Sequence, residues 1–468
     1  ALPMTTVRLL TSGTELDLAP STGDDARHAW RLCGLIAVGV AIRFFLALRV
    51  GVPSNDGATY LWMTEVMAAG RFSEAVSTIF HPGAAFIAAP FAALCAPLGL
   101  SSYQVFAALA ALVAGVVAFA MDRSAAALGV SKGGRLVVVM TFVLGFHFVR
   151  LPADAYSESF ALPLCALAVL ATLRSRRCLA AFLAVLAYFV RPEALLYALP
   201  ALLLARRRPW SVLAVVALGL AGFAALRAAL AGASTLTPKL DFMLPLGPLG
   251  PLFDGDFVAA WRCLIDNVVR LPAAFASGLD LGFGYVGLVG LVIARATTRA
   301  FLVLLAVHVA VLLCFEVKPR FFLMTAPVLL PALGVVWDRA GAWRALTRGV
   351  VILLLVVAVV RVGKDFVEPP RRDKVGELAF GRALANTEAL DPTRIVISLP
   401  RVAWAAGLQP LPPWPWTPQS VKERILRPEH RRIVLHAGQD HEVQVARYLP
   451  GFRLVETSPC GRIKLYAR

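Results

Sequence analysis

Long apolar runs separated by short basic clusters make up the first three-quarters of the chain. A helix crosses a bilayer with about 17–25 mostly apolar residues. Hydropathy places spans near 29–50, 101–121, 136–149, 158–173, 178–190, 194–205, 210–231, 278–294, 300–316, 321–337 and 349–363. Each even-numbered span runs into basic residues: Arg123, Lys132 and Arg135; Arg174, Arg176 and Arg177; Arg206, Arg207 and Arg208; Arg295 and Arg299; Arg339, Arg344 and Arg348. The positive-inside rule puts all of these clusters in the cytoplasm, together with the N-terminus.

This parity holds on one condition. The apolar stretch 84–98, interrupted by Pro90 and Pro97, must lie on the outer interface rather than cross. A second interfacial helix is predicted by Tyr60, Leu61, Met63, Val66 and Met67 at helical spacing. The outer side then receives the loop 51–100, the loop 150–157, the turn 191–193, the loop 232–277, the turn 316–320 and the tail 364–468. The first apolar run has no small-residue cleavage site and is expected to stay as an anchor.

The tail is more polar and its alternation changes. It reads as a helix over 373–389, strands at 394–399 and 432–436, a helix near 439–448, and a closing hairpin from 452–457 and 462–466. Between these lies the rigid aromatic stretch Leu411 to Trp416. The predicted fold class is a polytopic α-helical membrane protein. It has about 11 transmembrane helices, interfacial helices in the first outer loop and a small C-terminal α/β extracytoplasmic domain. The expected divisions are a disordered cytoplasmic 1–28, a transmembrane catalytic domain 29–363 and the outer domain 364–468.

Composition agrees: of 468 residues 59% are hydrophobic and 16% charged, with a mean hydropathy of +0.72. Soluble domains are about half apolar. The net charge of +17 does not indicate nucleic acid, because the bases sit between apolar runs without interleaved aromatics. Membrane lipids are the expected surroundings. The seven cysteines are scattered without metal-ligand spacing, and sequence alone cannot bring Cys263 to Cys460. Arg43, in the middle of the first span, requires an internal partner there.

The residues suited to chemistry fall on the outer side. Asp56 follows the first span and precedes Tyr60; His81 stands in Phe80-His81-Pro82-Gly83 before the second interfacial helix. The loop 150–157 brings Arg150 and Asp154 to the head of the fourth span, where Glu158 sits at the bilayer boundary. A carboxylate there is costly and is read as functional, against the bland reading of an acid at a helix N-terminus. Arg191-Pro192-Glu193 and Glu316-Val317-Lys318-Pro319-Arg320 bring cations to the outer surface, suited to an anionic phosphate. The bland reading is snorkelling towards lipid headgroups.

Taken in order, Asp56 with Tyr60, Gly70-Arg71-Phe72, His81-Pro82-Gly83, Tyr156-Ser157-Glu158, Arg191-Pro192-Glu193 and Pro319-Arg320-Phe321-Phe322 resemble the bacterial GT-C glycosyltransferases. Relatives of that class include protein O-mannosyltransferases and the lipid A aminoarabinose transferase. The resemblance implies inverting transfer of a sugar from a polyprenyl-phosphate donor to a glycan, lipid or protein acceptor, outside a bacterial inner membrane. It makes Asp56 the base and Glu158 or Asp154 a second acid, with His81 beside them. Arg320, Lys318 and Arg191 would then hold the donor phosphate. Many relatives carry an acidic pair in the first loop, and here Asn55 precedes Asp56. Asp56, His81 and Glu158 are residue types that a divalent cation accepts, and the metal question stays open on sequence. Two other classes remain: a transporter or lipid flippase, which wants mid-span acids and inverted repeats, and a polysaccharide polymerase or ligase with an arginine-rich outer loop.

Overall fold

The computed structural model describes residues 23–78, 80–205, 209–232, 247–280, 282–368, 372–386, 395–397, 399–410, 432–436, 451–458 and 463–467. The first 22 residues, the aromatic stretch 411–416 and the helix expected near 439–448 lie outside them.

The chain is mostly helical. In order come α1 (Gly23–Val50), α2 (Asn55–Ala68), α3 (Phe72–Val76), α4 (Gly83–Cys95), α5 (Ser102–Ala127), α6 (Lys132–Leu144), α7 (Phe146–Arg150) and α8 (Glu158–Leu173). Then follow α9 (Arg177–Val190), a 3₁₀ turn (Pro192–Tyr197), α10 (Ala198–Leu204), α11 (Pro209–Ala231), α12 (Leu249–Phe253), α13 (Phe257–Gly278), α14 (Phe283–Ile293) and α15 (Arg295–Cys314). A 3₁₀ turn (Pro319–Thr325) leads into α16 (Ala326–Arg339), and α17 (Arg344–Val367) precedes the tail. Among the described residues five helical stretches are long and apolar enough to cross a membrane: Asp24–Val50, Ser102–Ala127, Pro209–Ala231, Pro319–Arg339 and Gly341–Val367. The pair α13–α14, bent by 95°, makes a sixth if it counts as one broken span. The stretch 232–277, read from sequence as a loop, holds all but the last residue of the 22-residue helix α13.

Local chemistry sets the helix starts. Ser54 caps α2 by accepting from the Gly57 N–H, Ser131 caps α6, and Ser101 with Gln104 forms a capping box at α5. Small residues set the closest packing. A Cβ on Gly287 would lie 2.3 Å from the Leu329 carbonyl oxygen, and one on Gly290 would lie 1.9 Å from that of Ala332. Glycine therefore lets α14 and α16 touch backbone to backbone. Arg43 is buried and donates to the carbonyls of Gly39, Phe142 and Val143, which are the internal partners its position demanded.

Ion pairs gather at two ends of the bundle. At one, Asp122 is buried and receives His28 at 3.0 Å and Arg135. There Lys132 meets Asp25, and Ser131 donates to Asp338. At the other end lie Asp56, Glu158, Arg191 and Arg320.

The tail forms α18 (Arg372–Ala385), α19 (Pro400–Ala405) and a four-stranded sheet of β1 (Ile395–Ile397), β2 (Arg432–His436), β3 (Arg453–Thr457) and β4 (Ile463–Ala467). The strand order is β1-β2-β4-β3. β1 pairs parallel with β2, while β4 runs antiparallel to both neighbours, with Val434 opposite Leu465. Phe380, Leu384, Ile397, Val402, Val434 and Leu465 form its own core. Trp404 Nε1 of α19 donates to Glu65 of α2 at 3.0 Å, tying the sheet to the helix that carries Asp56.

Candidate active site

Two loops are stitched together first. The Ser54 N–H and hydroxyl both donate to the Asp154 carbonyl, at 3.0 and 2.8 Å. Gly57 lies so close that a Cβ there would stand 2.2 Å from the same oxygen. The loop 151–157 folds tightly, with Tyr156 N–H donating to Leu151 and Ala155 at φ +54°. As a result Asp56, at the start of α2, faces Tyr156-Ser157-Glu158 at the start of α8.

The two cation turns complete the cluster. Arg191 and Lys318 both precede proline, and both are extended, as that position requires. Each turn then continues as a 3₁₀ segment. Arg191 Nη1 meets Glu158 Oε1 at 2.5 Å, its Nε donates to Glu193 at 2.6 Å, and Ser157 Oγ accepts from it at 3.4 Å. Arg320 Nη1 meets Asp56 Oδ2 at 2.5 Å, and its guanidinium stands 5.5 Å from the Tyr156 ring. Both arginines also lie over Phe321. The Tyr60 hydroxyl lies beside Ser157 within the field of Arg191, Glu158 and Asp56. Burial pushes that phenol up, out of reach of ordinary titration. Burial pulls the Arg191 guanidinium down, but Glu158 and Glu193 more than offset this, so it is held firmly protonated.

Not every residue singled out by sequence joins this group. Asp154 turns its carboxylate to Arg150 at 3.5 Å and Lys374 at 3.8 Å, and Arg150 also holds Asp365. That is a second polar cluster beside the first, linking the loop to the tail. Lys318 is half exposed and pairs with Glu316 at 2.7 Å. His81 is buried in aromatic packing, stacked on Phe223 at 5.2 Å and edge-on to Tyr188 at 5.0 Å. The His-Pro-Gly motif marks a close approach, since a Cβ on Gly83 would lie 2.6 Å from the Phe189 carbonyl oxygen. Tyr156, Ser157 and Phe321 stand with the cluster; sequence offered them only as members of the resembling motifs around Glu158 and Arg320, with no role of their own.

Arg191 and Glu193 also stand at the polar end of a cavity of about 580 Å³. Its walls are otherwise apolar: Leu196, Leu199, Val216, Val307, Val311 and Phe315 among others, from the 3₁₀ turn, α10, α11 and the C-terminal half of α15 with the residue that follows it. Among the described residues no three of His, Cys, Asp or Glu stand together as a metal site. The carboxylates of Asp56 and Glu158 each face a guanidinium instead. This donor set does not fit a divalent cation.

The arrangement of helices is shared with solved structures of an archaeal oligosaccharyltransferase. The archaeal oligosaccharyltransferase of Archaeoglobus fulgidus, solved in complex with Zn and sulfate, superposes with a TM-score of 0.58 at 11% identity, over 92% of this chain and 73% of that one. The same enzyme, AglB, in complex with an inhibitory peptide and a dolichol-phosphate gives 0.57 at 13%, over 96% and 75%. Tethered to an acceptor peptide it gives 0.58 at 12%, over 94% and 74%. No protein-family model and no curated protein sequence matches the chain. The likeness is one of fold, and with five or six apolar helices long enough to cross among the described residues the chain is a multi-pass membrane protein.

Proposed function

We propose that the protein is an inverting glycosyltransferase that moves a sugar from a polyprenyl-phosphate donor to an acceptor hydroxyl on the outer face of a bacterial inner membrane. The observation that carries this reading is the pairing of two carboxylates with two arginines, one of which, Arg191, also lines an apolar groove. The groove suits a polyprenyl chain, and the arginines suit its phosphate. The structural neighbour AglB was solved with a dolichol-phosphate, a lipid phosphate of the same kind.

In this reading Asp56 takes the proton of the acceptor hydroxyl as its oxygen attacks the anomeric carbon. The bond from that carbon to the phosphate oxygen breaks on the opposite face, so configuration inverts. Polyprenyl phosphate leaves with the bonding electrons, and Arg320 and Arg191 stabilise the charge that develops there. Glu158 and Glu193 orient Arg191, and Tyr60 and Ser157 bound the pocket. Lys318 and Arg150 stand further out as supporting cations.

The topology that goes with it has eleven crossings, the N-terminus and Asp122 cluster inside, and the tail outside. The stretch 83–98 begins against Phe189 and Val190. It ends beside Ser102, whose hydroxyl binds Glu65 of α2. Both of its ends therefore lie level with the site, which supports a helix that does not cross. A flippase reading wants charges free at mid-span, whereas Arg43 is tied to backbone carbonyls.

The test is reconstituted protein given a labelled polyprenyl-phosphate sugar and membrane extract. Transfer or release of sugar is expected, and Asp56→Asn should abolish it; undiminished activity in that variant overturns the mechanism. A reporter fused at the C-terminus should report the outside.

A further inference from the structure

We propose that α13 is a membrane-surface helix whose partner is the phospholipid of the outer leaflet. The helix has three faces. Ala260, Asn267 and Ala274 form one, and all are buried against the protein. Phe257, Trp261, Ile265 and Val268 form the second, flanked by Val258 and Val269, and all are exposed, Trp261 by 63% and Val269 by 72%. Arg262, Asp266 and Arg270, four residues apart, form the third. A helix wholly surrounded by lipid has no charged row turned outward. A helix in water has no stripe of six exposed large apolar side chains. One lying at the boundary, with protein on one side, has all three faces.

The setting fixes the orientation. α14 leaves α13 at 95° and packs along α16, a stretch apolar enough to cross. If α14 follows the membrane normal, α13 lies in the plane. Tyr285 holds the corner by donating to the Pro272 carbonyl at 2.9 Å. Lipid is the favoured occupant over a second protein because the next helix, α14, also exposes apolar side chains, Val289, Val292 and Ile293, and the stripe carries Phe257 and Trp261, which suit the headgroup level. The arginines on the neighbouring face match anionic headgroups.

The buried face gives the surface a role. Asn267 Nδ2 donates to the carbonyls of Leu313 and Phe315, at 3.0 and 3.4 Å. Gly278 abuts the Pro319 carbonyl, where a Cβ would lie 2.1 Å away. The lipid boundary thus sets the height of the turn that presents Arg320. The placement itself does not depend on the transfer reaction.

The test uses the full chain in lipid nanodiscs, with spin labels on Trp261→Cys, Val268→Cys and Asp266→Cys in a cysteine-free background. Labels at 261 and 268 should report the same depth, about 5–10 Å into the headgroup–acyl boundary, while 266 should be open to a water-soluble relaxer. Different depths at 261 and 268, consistent with a crossing helix, overturn the proposal. So does shielding of both labels from lipid and water alike, which means a protein partner or second copy. As a check without cysteines, Trp261→Phe should remove a component of fluorescence quenched by brominated lipid; no such loss also counts against it.

Discussion

Asp56→Asn should tighten the binding of polyprenyl phosphate while it stops transfer. The site holds three carboxylates, Asp56, Glu158 and Glu193, against two guanidiniums, Arg191 and Arg320. Its formal charge is therefore one negative, and an anionic donor must take a guanidinium from a carboxylate. Arg320 is the one to exchange, because its side chain and that of Asp56 are 26% and 21% exposed, whereas Arg191 and Glu158 are almost wholly enclosed. Exposed ion pairs contribute up to about 1 kcal/mol and breaking enclosed ones costs about 3–5 kcal/mol, so opening this pair costs about 1–2 kcal/mol. At about 1.4 kcal/mol per decade, removing the competitor tightens Kd roughly 5- to 30-fold. Losing the base lowers transfer by about 10²–10⁴-fold. Titration of polyprenyl phosphate into nanodisc-embedded protein, by calorimetry or fluorescence, reads the first number. Unchanged or weaker affinity in Asp56→Asn refutes the exchange and leaves Arg320 as a fixed structural partner of Asp56.

Three further perturbations test the scaffold. Gly57→Ala forces a methyl into the Asp154 carbonyl and should cost about 1–3 kcal/mol; thermal unfolding should show the loss, and sugar transfer should fall with it. Arg191→Ala leaves Glu158 enclosed without its cation and should cost about 3–5 kcal/mol, while the double variant Arg191→Met with Glu158→Met should regain most of the melting temperature and no activity. Burial raises the Glu65 carboxyl above its ordinary value of 4.5, against donors from Ser102 and Trp404. The native state therefore favours the protonated acid: its stabilisation is complete below 4.5 and lost as pH climbs through the raised native value. Glu65→Gln should accordingly melt higher than the parent at pH 8 and no higher at pH 4, read by differential scanning fluorimetry.

The helical scaffold was legible because apolar run length and basic flanks are local signals. The strands 432–436 and 453–457 fall where period-two alternation placed them. Arg43 was legible as well, since a cation in mid-helix has to find partners. What stayed hidden was pairing across distance. Asp56 and Arg320 are 264 positions apart, and nothing in either segment shows that the two neutralise each other. Arg191 and Arg320 read as cations free for phosphate, whereas folding gives each a carboxylate. α13 escaped notice because its charged row, Arg262, Asp266 and Arg270, breaks the apolar run that hydropathy looks for. His81 suggested chemistry by residue type, yet what the motif requires locally is the glycine that lets α4 start against the end of α9.

The glycine seam between α14 and α16 acts on the chemistry from afar. Gly287 and Gly290 rest on the carbonyls of Leu329 and Ala332, about two to three helical turns below Arg320 on a continuous segment. Bulk added there should push α16 away from α14 and shift Arg320 relative to Asp56. Tolerance to substitution should therefore be lowest deep in the bilayer, at positions that no substrate ever meets.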